Sequence, residues 1–143
     1  MPESRLTIPA VSQRWRRLAL LIGGLTIFFW MRLEDHGVTT VVIMGVIAAF
    51  LAGLFWLWPR LAARSWKPLT LLLAATASGA LLGASASLMT AFLMLLKNGF
   101  HGHLNPDYSA VVIGETLALL PAWAVAGGLL AAAASLVWMA RAR

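Results

Sequence analysis

The stretch "LTLLLAATASGALLGASASLMTAFLMLL" (residues 69–96) decides the fold of this chain, because it runs for 28 residues without a charged side chain. A helix needs about 20 apolar residues to cross the hydrocarbon core of a membrane, so this run can cross with tilt or with protruding ends. Its small residues recur at every fourth position, at Ala75, Gly79, Gly83 and Ser87. Such strips let helices approach closely in lipid. We therefore expect this run to be the central packing helix of an all-α membrane four-helix bundle.

The rest of the chain has the same apolar character. Of its 143 residues, 61% are hydrophobic and 11% are charged, and the mean hydropathy is +0.84. An ordinary soluble domain is about 45–50% apolar and about 25% charged. A soluble fold of this size could not bury so much apolar surface, so we expect an integral membrane protein with lipid as a partner. The chain has no cysteine, which excludes disulfides, Cys-ligated zinc, iron–sulfur clusters and thiol catalysis.

Four apolar segments predict four membrane spans, near residues 18–33, 38–58, 69–96 and 121–140. The first span is short. Its 14 uncharged residues lie between Arg17 and Arg32, whose long side chains can reach the two interfaces. No small-residue cleavage site follows it, so we interpret it as a retained anchor. The predicted organisation is a cytoplasmic tail (1–17), whose first dozen residues should be loose or lie on the surface, a single membrane domain (18–140) and a basic C-terminus (141–143).

The basic residues predict the orientation. With the N-terminus inside, nine of the eleven Lys and Arg residues fall on the inner side, and only Arg32 and Lys97 fall outside. Cytoplasmic loops are enriched in Lys and Arg, so we predict that both termini are cytoplasmic in a multi-pass protein of a bacterial inner membrane. Because the charges sit in short clusters beside apolar runs, we do not expect a nucleic-acid partner.

The second and fourth spans also carry strips of small residues. The strip of the second span is Gly45, Ala49 and Gly53, and that of the fourth is Ala124, Gly128 and Ala132, with Gly127, Ala131 and Ser135 on the adjacent strip. The simpler interpretation is that these strips pack the helices into one bundle. The alternative is that one strip faces another membrane subunit or a second copy of this chain.

The polar segment "KNGFHGHLNPDY" (residues 97–108) stands between two apolar spans. This segment contributes His101, His103 and Asp107, the loop before the second span contributes His36, and Glu115 follows shortly after. Together they predict an outer metal or polar cluster of His36, His101, His103, Asp107 and Glu115. Imidazoles and carboxylates suit zinc, copper, nickel or iron, and a His-x-His pair in extended backbone points both rings to one side. The chain has no HExxH motif and no paired Glu-x-x-His. Hydrogen bonding at the interface is therefore the simpler interpretation, and we expect no cofactor.

The same segment predicts where the next helix begins. Asn105 suits the N-cap, Pro106 the first helical position, and Asp107 the first turn, where an acid interacts favourably with the helix dipole. Pro121 should act as a hinge, because proline cannot donate a backbone hydrogen bond. We therefore expect an outer half-helix near residues 106–120, bent away from the span at 121–140.

The pattern KNxxHxHxxPD at residues 97–107, followed by "LLPAWAVAGGLLA" (residues 119–131), resembles uncharacterised small four-helix integral membrane proteins of bacteria. The resemblance covers roughly the last third of the chain and implies no function. No charged residue lies deep in a predicted span, so we expect a non-catalytic accessory or structural subunit and no enzyme. One alternative is a small oligomeric transporter or channel, which should have inverted halves or helices broken at mid-membrane. The other is an outer-face metal-binding protein.

Overall fold

A computed structural model of the chain describes residues 6–33, 37–62, 64–101 and 106–141. These residues are helical apart from short connections and one pair of two-residue strands, which confirms the all-α prediction. In chain order the elements are β1 (Leu6–Thr7), α1 (Gln13–Met31), α2 (Val38–Trp56), α3 (Trp58–Ala62), β2 (Ser65–Trp66), α4 (Pro68–His101), α5 (Ala110–Ala118) and α6 (Leu120–Arg141). Among the described residues, three helical segments are long and apolar enough to cross a membrane, namely Val38–Ala62, Pro68–His101 and Leu120–Arg141.

Helix α1 differs from these three segments because its first turns carry Arg14, Arg16 and Arg17. Ser12 caps the helix by accepting a hydrogen bond from the backbone N–H of Trp15 (3.4 Å). Helix α1 begins at Gln13, directly after the first dozen residues, which the sequence predicts to be a loose or surface-lying tail. Part of the remaining tail is held by β1, which pairs antiparallel with β2 just before α4 begins.

Helix α4 is the central helix, as its strip of small residues predicts. It packs most extensively against α6 and next against α2. Its 34 residues give a length of about 51 Å at ~1.5 Å per residue, so it exceeds the roughly 30 Å hydrocarbon core. Helix α2 lies against α4 from Thr90, where Gly45 meets the backbone, to Leu82, where Gly53 meets the side chain. Helix α6 runs antiparallel along the N-terminal half, where Trp123 lies against Gly83.

Helix α1 runs beside the bundle from one end to the other. Its N-terminal end follows β1, which is paired with β2 at the beginning of α4. At its C-terminal end the ring of Trp30 lies 4.5 Å from Lys97 Nζ, close to the end of α4. The four long helices therefore alternate in direction along the chain, with α1 and α4 running one way and α2 and α6 the other.

The helix after the polar segment begins later than the sequence predicts. Its N-cap is Ser109, whose side chain accepts a hydrogen bond from the backbone N–H of Val112 (3.4 Å), while Asp107 is not helical. Asn105, the predicted N-cap, lies outside the described residues. In place of the half-helix expected at residues 106–120, the structure has the shorter helix α5 (Ala110–Ala118). Helix α5 lies along α4, where Ser87 Oγ donates to the carbonyl oxygen of Thr116 (2.7 Å).

The chain turns from α5 into α6 at Leu119, two residues before the predicted hinge Pro121. Backbone bonding continues across this turn, because the N–H of Trp123 donates to the carbonyl of Leu119 (3.0 Å). Proline has no backbone N–H and is tolerated in the first turn of a helix, so its position near the start of α6 is consistent with the interruption.

The buried core lies toward the C-terminal end of α4. Its members are Trp30, Met31, Val41, Ala91, Leu93, Met94, Tyr108 and Ile113. The outward faces of the helices carry large exposed apolar side chains, such as Phe50 on α2, Leu73 on α4 and Leu130 on α6. Such faces are unfavourable in water and suit lipid or a protein partner.

Candidate functional site at the polar end of the bundle

Six residues form a polar cluster at the C-terminal end of α4, which we name the outer-end cluster after the side of the membrane that the sequence predicts for it. Its members are Trp30, Lys97, Asn98, His101, Asp107 and Tyr108. The last turns of α4 supply the lysine, the asparagine and the histidine, α1 supplies the tryptophan, and the chain before α5 supplies the other two. The cluster therefore joins the ends of α1 and α4 to the beginning of α5.

Lys97 is the most deeply buried member of the outer-end cluster. Its exposed fraction is 0%, and its ammonium group lies 4.5 Å from the centre of the Trp30 ring, which is itself 3% exposed. A cation over the face of tryptophan is attracted by the ring quadrupole, and the attraction grows when both groups are shielded from water. This contact joins the end of α1 to α4.

Asn98 holds the backbone of Tyr108 through two hydrogen bonds. The backbone N–H of Tyr108 donates to Asn98 Oδ1 (2.9 Å), and Asn98 Nδ2 donates to the carbonyl oxygen of Tyr108 (2.8 Å). The Tyr108 ring is buried, and its hydroxyl lies 3.5 Å from the carbonyl oxygen of Gly37, just before α2. The tyrosine thereby contacts α2 as well as α4, and its fixed backbone explains why the chain is not yet helical at this point.

His101 and Asp107 form the ionisable pair of the cluster. His101 Nδ1 lies 2.5 Å from Asp107 Oδ2, and the side chains are 17% and 2% exposed. This contact fixes the orientation of the imidazole ring. A carboxylate on one ring nitrogen is also the arrangement that orients metal-ligating histidines. The pair can therefore act as a structural contact or as part of a ligand set.

The five residues predicted as a metal or polar cluster are not all found together. His101 and Asp107 are in contact, whereas Glu115 is exposed on α5. His36 and His103 lie outside the described residues. Within the described part of the chain, no group of three His, Cys, Asp or Glu side chains could hold a metal ion. A metal site at this end of the bundle would therefore need His36 or His103 as a ligand.

Sequence reasoning missed Lys97, Asn98, Tyr108 and Trp30 as members of this site. One signal could have found the lysine. The strip through Gly83 and Ser87 continues at helical spacing to Thr90, Met94 and Lys97. All five residues are buried. The lysine therefore lies on the packing face of α4. In the topology prediction Lys97 is only one of two outer basic residues, and its charge gives no sign that it is buried.

The small residues predicted for helix packing lie where helices meet. A Cβ on Gly83 would be 2.8 Å from the carbonyl carbon of Trp123, and one on Gly127 would be 3.1 Å from the Gly83 Cα. A Cβ on Gly79 would be 3.1 Å from the carbonyl carbon of Gly127. We name these three glycines the glycine seam. It joins α4 to α6 by direct approach of the two backbones.

The remaining predicted packing residues surround the seam or lie on α2. Gly45, Ala49 and Gly53 are buried, and a Cβ on Gly45 would be 2.7 Å from the backbone nitrogen of Thr90. Gly128 is buried at ordinary contact distance from α4, while Ala75, Ala124 and Ala132 are half-buried. On α6 the strip of Gly127 thus approaches α4 more closely than the strip of Gly128.

Comparisons of this chain with protein-family models, with curated proteins and with solved structures find no match. The function must therefore be inferred from the residues and their geometry.

Proposed function

We propose that this chain is a four-span protein of a bacterial inner membrane, with both termini cytoplasmic, that serves as a non-catalytic accessory or structural subunit. The observation that carries the proposal is that the members of the outer-end cluster contact one another. Its polar groups bind one another and join helix ends: Lys97 contacts Trp30, Asn98 bonds to Tyr108, and His101 pairs with Asp107. Such contacts stabilise a bundle and require no substrate.

The direction of α1 supports a fourth span. Its two ends lie at opposite ends of the bundle, next to the β1–β2 pair and next to Lys97. Its 19 residues have a length of about 28 Å at ~1.5 Å per residue, close to the roughly 30 Å of the hydrocarbon core. The arginines of its first turn would then lie at the inner interface, where positive charge is favoured.

The lateral faces support an accessory role. In an apolar stretch of 18 residues within α6, only 11% of the residues are buried in the chain. The corresponding share is 33% for the segment that contains α2 and 39% for α4. Leu129 and Leu130 on α6 are 66% and 72% exposed. A face of this kind can contact another membrane subunit as readily as lipid.

The fourth span can be tested by single-cysteine labelling, because the natural chain has no cysteine. Gln13 and Leu33 flank α1 and are both exposed. In intact spheroplasts a membrane-impermeant maleimide should label Leu33→Cys, whereas Gln13→Cys should react only after permeabilisation. If the two cysteines react from the same side, α1 does not cross the membrane and the four-span proposal is wrong.

The accessory role can be tested with a photo-crosslinker attached to single cysteines in native membranes. Suitable positions are Phe50, Leu73 and Leu130, because each lies on the outward face of a different helix and is at least 61% exposed. A neighbouring subunit should give a discrete cross-linked product from one face and none from the other two. If all three faces give only lipid adducts and the protein purifies alone as a monomer, the subunit proposal fails.

A metal-binding outer face is the second candidate. The contact between Asp107 and His101 Nδ1 favours this candidate, because it would hold the imidazole in place to bind a metal ion through its other nitrogen. The remaining ligands would have to include His36 or His103. Metal analysis of protein purified without a histidine tag tests this candidate. Stoichiometric metal that is lost in His103→Ala would favour it, whereas metal-free protein from metal-supplemented cells would exclude it.

A further inference from the structure

A recess lies at the end of the bundle opposite the outer-end cluster. It has a volume of about 190 Å³ and lies between the chain that leads into α1 and the short helix α3. Its lining consists of Ala10, Val11, Arg16, Trp58, Pro59 and Ala62. One water occupies roughly 30 Å³, so the recess is large enough for a phosphate-sized group.

Two hydrogen-bond donors of this recess are buried and unsatisfied. Neither Arg16 Nε nor Trp58 Nε1 has a hydrogen-bond partner in the described part of the chain. Both atoms can only donate. Buried polar groups in proteins nearly always have a partner, so two such donors on residues that line one recess indicate a missing acceptor. The Arg16 guanidinium is held nearby, with Cζ 5.6 Å from the centre of the Phe55 ring.

The surrounding charge favours a negatively charged acceptor. The segments that form and flank the recess also carry the basic residues Arg14, Arg17, Arg60, Arg64 and Lys67. The carboxylates among the described residues are Asp107 and Glu115, which follow the opposite end of α4. An anion in the recess would therefore meet an excess of positive charge.

We infer that this recess binds a phosphate group, supplied either by an anionic phospholipid or as free phosphate, with Arg16 Nε and Trp58 Nε1 as donors. Arginine suits phosphate because its planar donors match the phosphate oxygens, and basic pockets between membrane helices bind lipid headgroups on the cytoplasmic side. The site is separate from the accessory role, because neither residue belongs to the outer-end cluster and free phosphate could bind without any partner subunit.

The test uses the full chain, delipidated in nonionic detergent and titrated with a short-chain phosphatidylglycerol, with the corresponding phosphatidylcholine, or with inorganic phosphate. A ligand at free concentration L that binds only the folded state stabilises it by RT ln(1 + L/Kd), so the melting temperature rises with ligand concentration and its rise reports the Kd. We expect phosphatidylglycerol, inorganic phosphate or both to raise it, with phosphatidylcholine weaker than phosphatidylglycerol. The ligands that act identify the source of the phosphate.

Four variants distinguish the site from general attraction between charges. Arg16→Gln should raise the Kd about tenfold, because a hydrogen bond to a charged group is lost. Trp58→Phe keeps the aromatic ring but removes the indole donor, and should raise it about three- to tenfold. The matched controls are Arg14→Gln, which removes the same charge from an exposed position of α1, and Trp56→Phe, which removes a 65% exposed indole. Both controls should bind like the unmodified protein.

The proposal is overturned if neither phosphatidylglycerol nor inorganic phosphate raises the melting temperature. It is also overturned if Arg14→Gln weakens binding as much as Arg16→Gln, since the attraction would then come from net charge. If Arg16→Gln does not fold, the comparison of Trp58→Phe with Trp56→Phe decides the question, and equal binding by those two variants contradicts the site.

Discussion

The outer-end cluster and the glycine seam hold the two halves of α4 in different ways. At the cluster, specific side-chain atoms make the contacts, as between Asn98 and the backbone of Tyr108. At the seam, contact depends on the absence of side chains, because the backbones of Gly83 and Trp123 approach directly. The seam suits the apolar part of a membrane, where helices associate mainly by close fit. The cluster suits an end of the bundle, where the chain must leave one helix and begin another.

This difference predicts how each region responds to substitution. The cluster should be sensitive to the loss of atoms, and the seam to their addition. The four substitutions below are ordered by expected effect, and each is measured as the free energy of unfolding in mixed detergent micelles.

Trp30→Leu should have the largest effect. It removes most of a ring that is 3% exposed and also removes the aromatic face that the buried Lys97 ammonium group contacts. We expect a loss of about 3 kcal/mol from the cavity and the lost cation–π contact together. Trp15→Leu on the same helix is the control, because that ring is 67% exposed, and it should cost less than about 0.5 kcal/mol. Equal losses in the two variants would show that Trp30 does not hold α1 to α4.

Gly83→Ala tests the seam by adding a single carbon. The new Cβ would lie 2.8 Å from the carbonyl carbon of Trp123, and because that atom is backbone, α6 must move away. We expect a loss of about 1–3 kcal/mol, the usual cost of overpacking. In Gly24→Ala the new Cβ has no atom within 4 Å, and the higher helix propensity of alanine should make this control neutral or slightly stabilising. A stabilised Gly83→Ala would contradict the close approach of the two helices.

The seam could be predicted from the sequence and the cluster could not, for physical reasons. Close packing of helices in lipid requires small residues at helical spacing, so the strip through Gly79 and Gly83 is visible as a local pattern. The contact of Lys97 with Trp30 joins two segments far apart in the chain, and no local pattern encodes such a pairing. The N-cap of α5 at Ser109 was missed for the same reason, since Asn98 on α4 holds Tyr108, the residue before it.

Asn98→Ala tests the hydrogen bonds of the cluster apart from its aromatic contact. The substitution removes both bonds to Tyr108, and with about 1 kcal/mol for each bond we expect a loss of about 2 kcal/mol. Its neighbour Gly99 has open space around it, so Gly99→Ala serves as the control and should not destabilise the protein. Hydrogen exchange at the Tyr108 amide should also become faster in Asn98→Ala. An unchanged exchange rate would mean that other contacts hold this part of the chain.

Pro121→Ala should have the smallest effect. It tests the turn between α5, which follows the outer-end cluster, and α6, which contributes to the glycine seam. The substitution adds a backbone N–H four residues after Leu117, while the N–H of Leu119 donates to the carbonyl of Glu115 (3.2 Å). Because proline lies in the first turn of α6, where it is tolerated, removing it should change stability by less than about 1 kcal/mol. Pro68→Ala at the first residue of α4 is the matched control and should behave alike. Ser87 bonds to α5 and Gly83 contacts α6, so α4 fixes both helices on either side of the junction. A loss of more than about 2 kcal/mol in Pro121→Ala alone would mean that the proline itself sets the bend on which both regions depend.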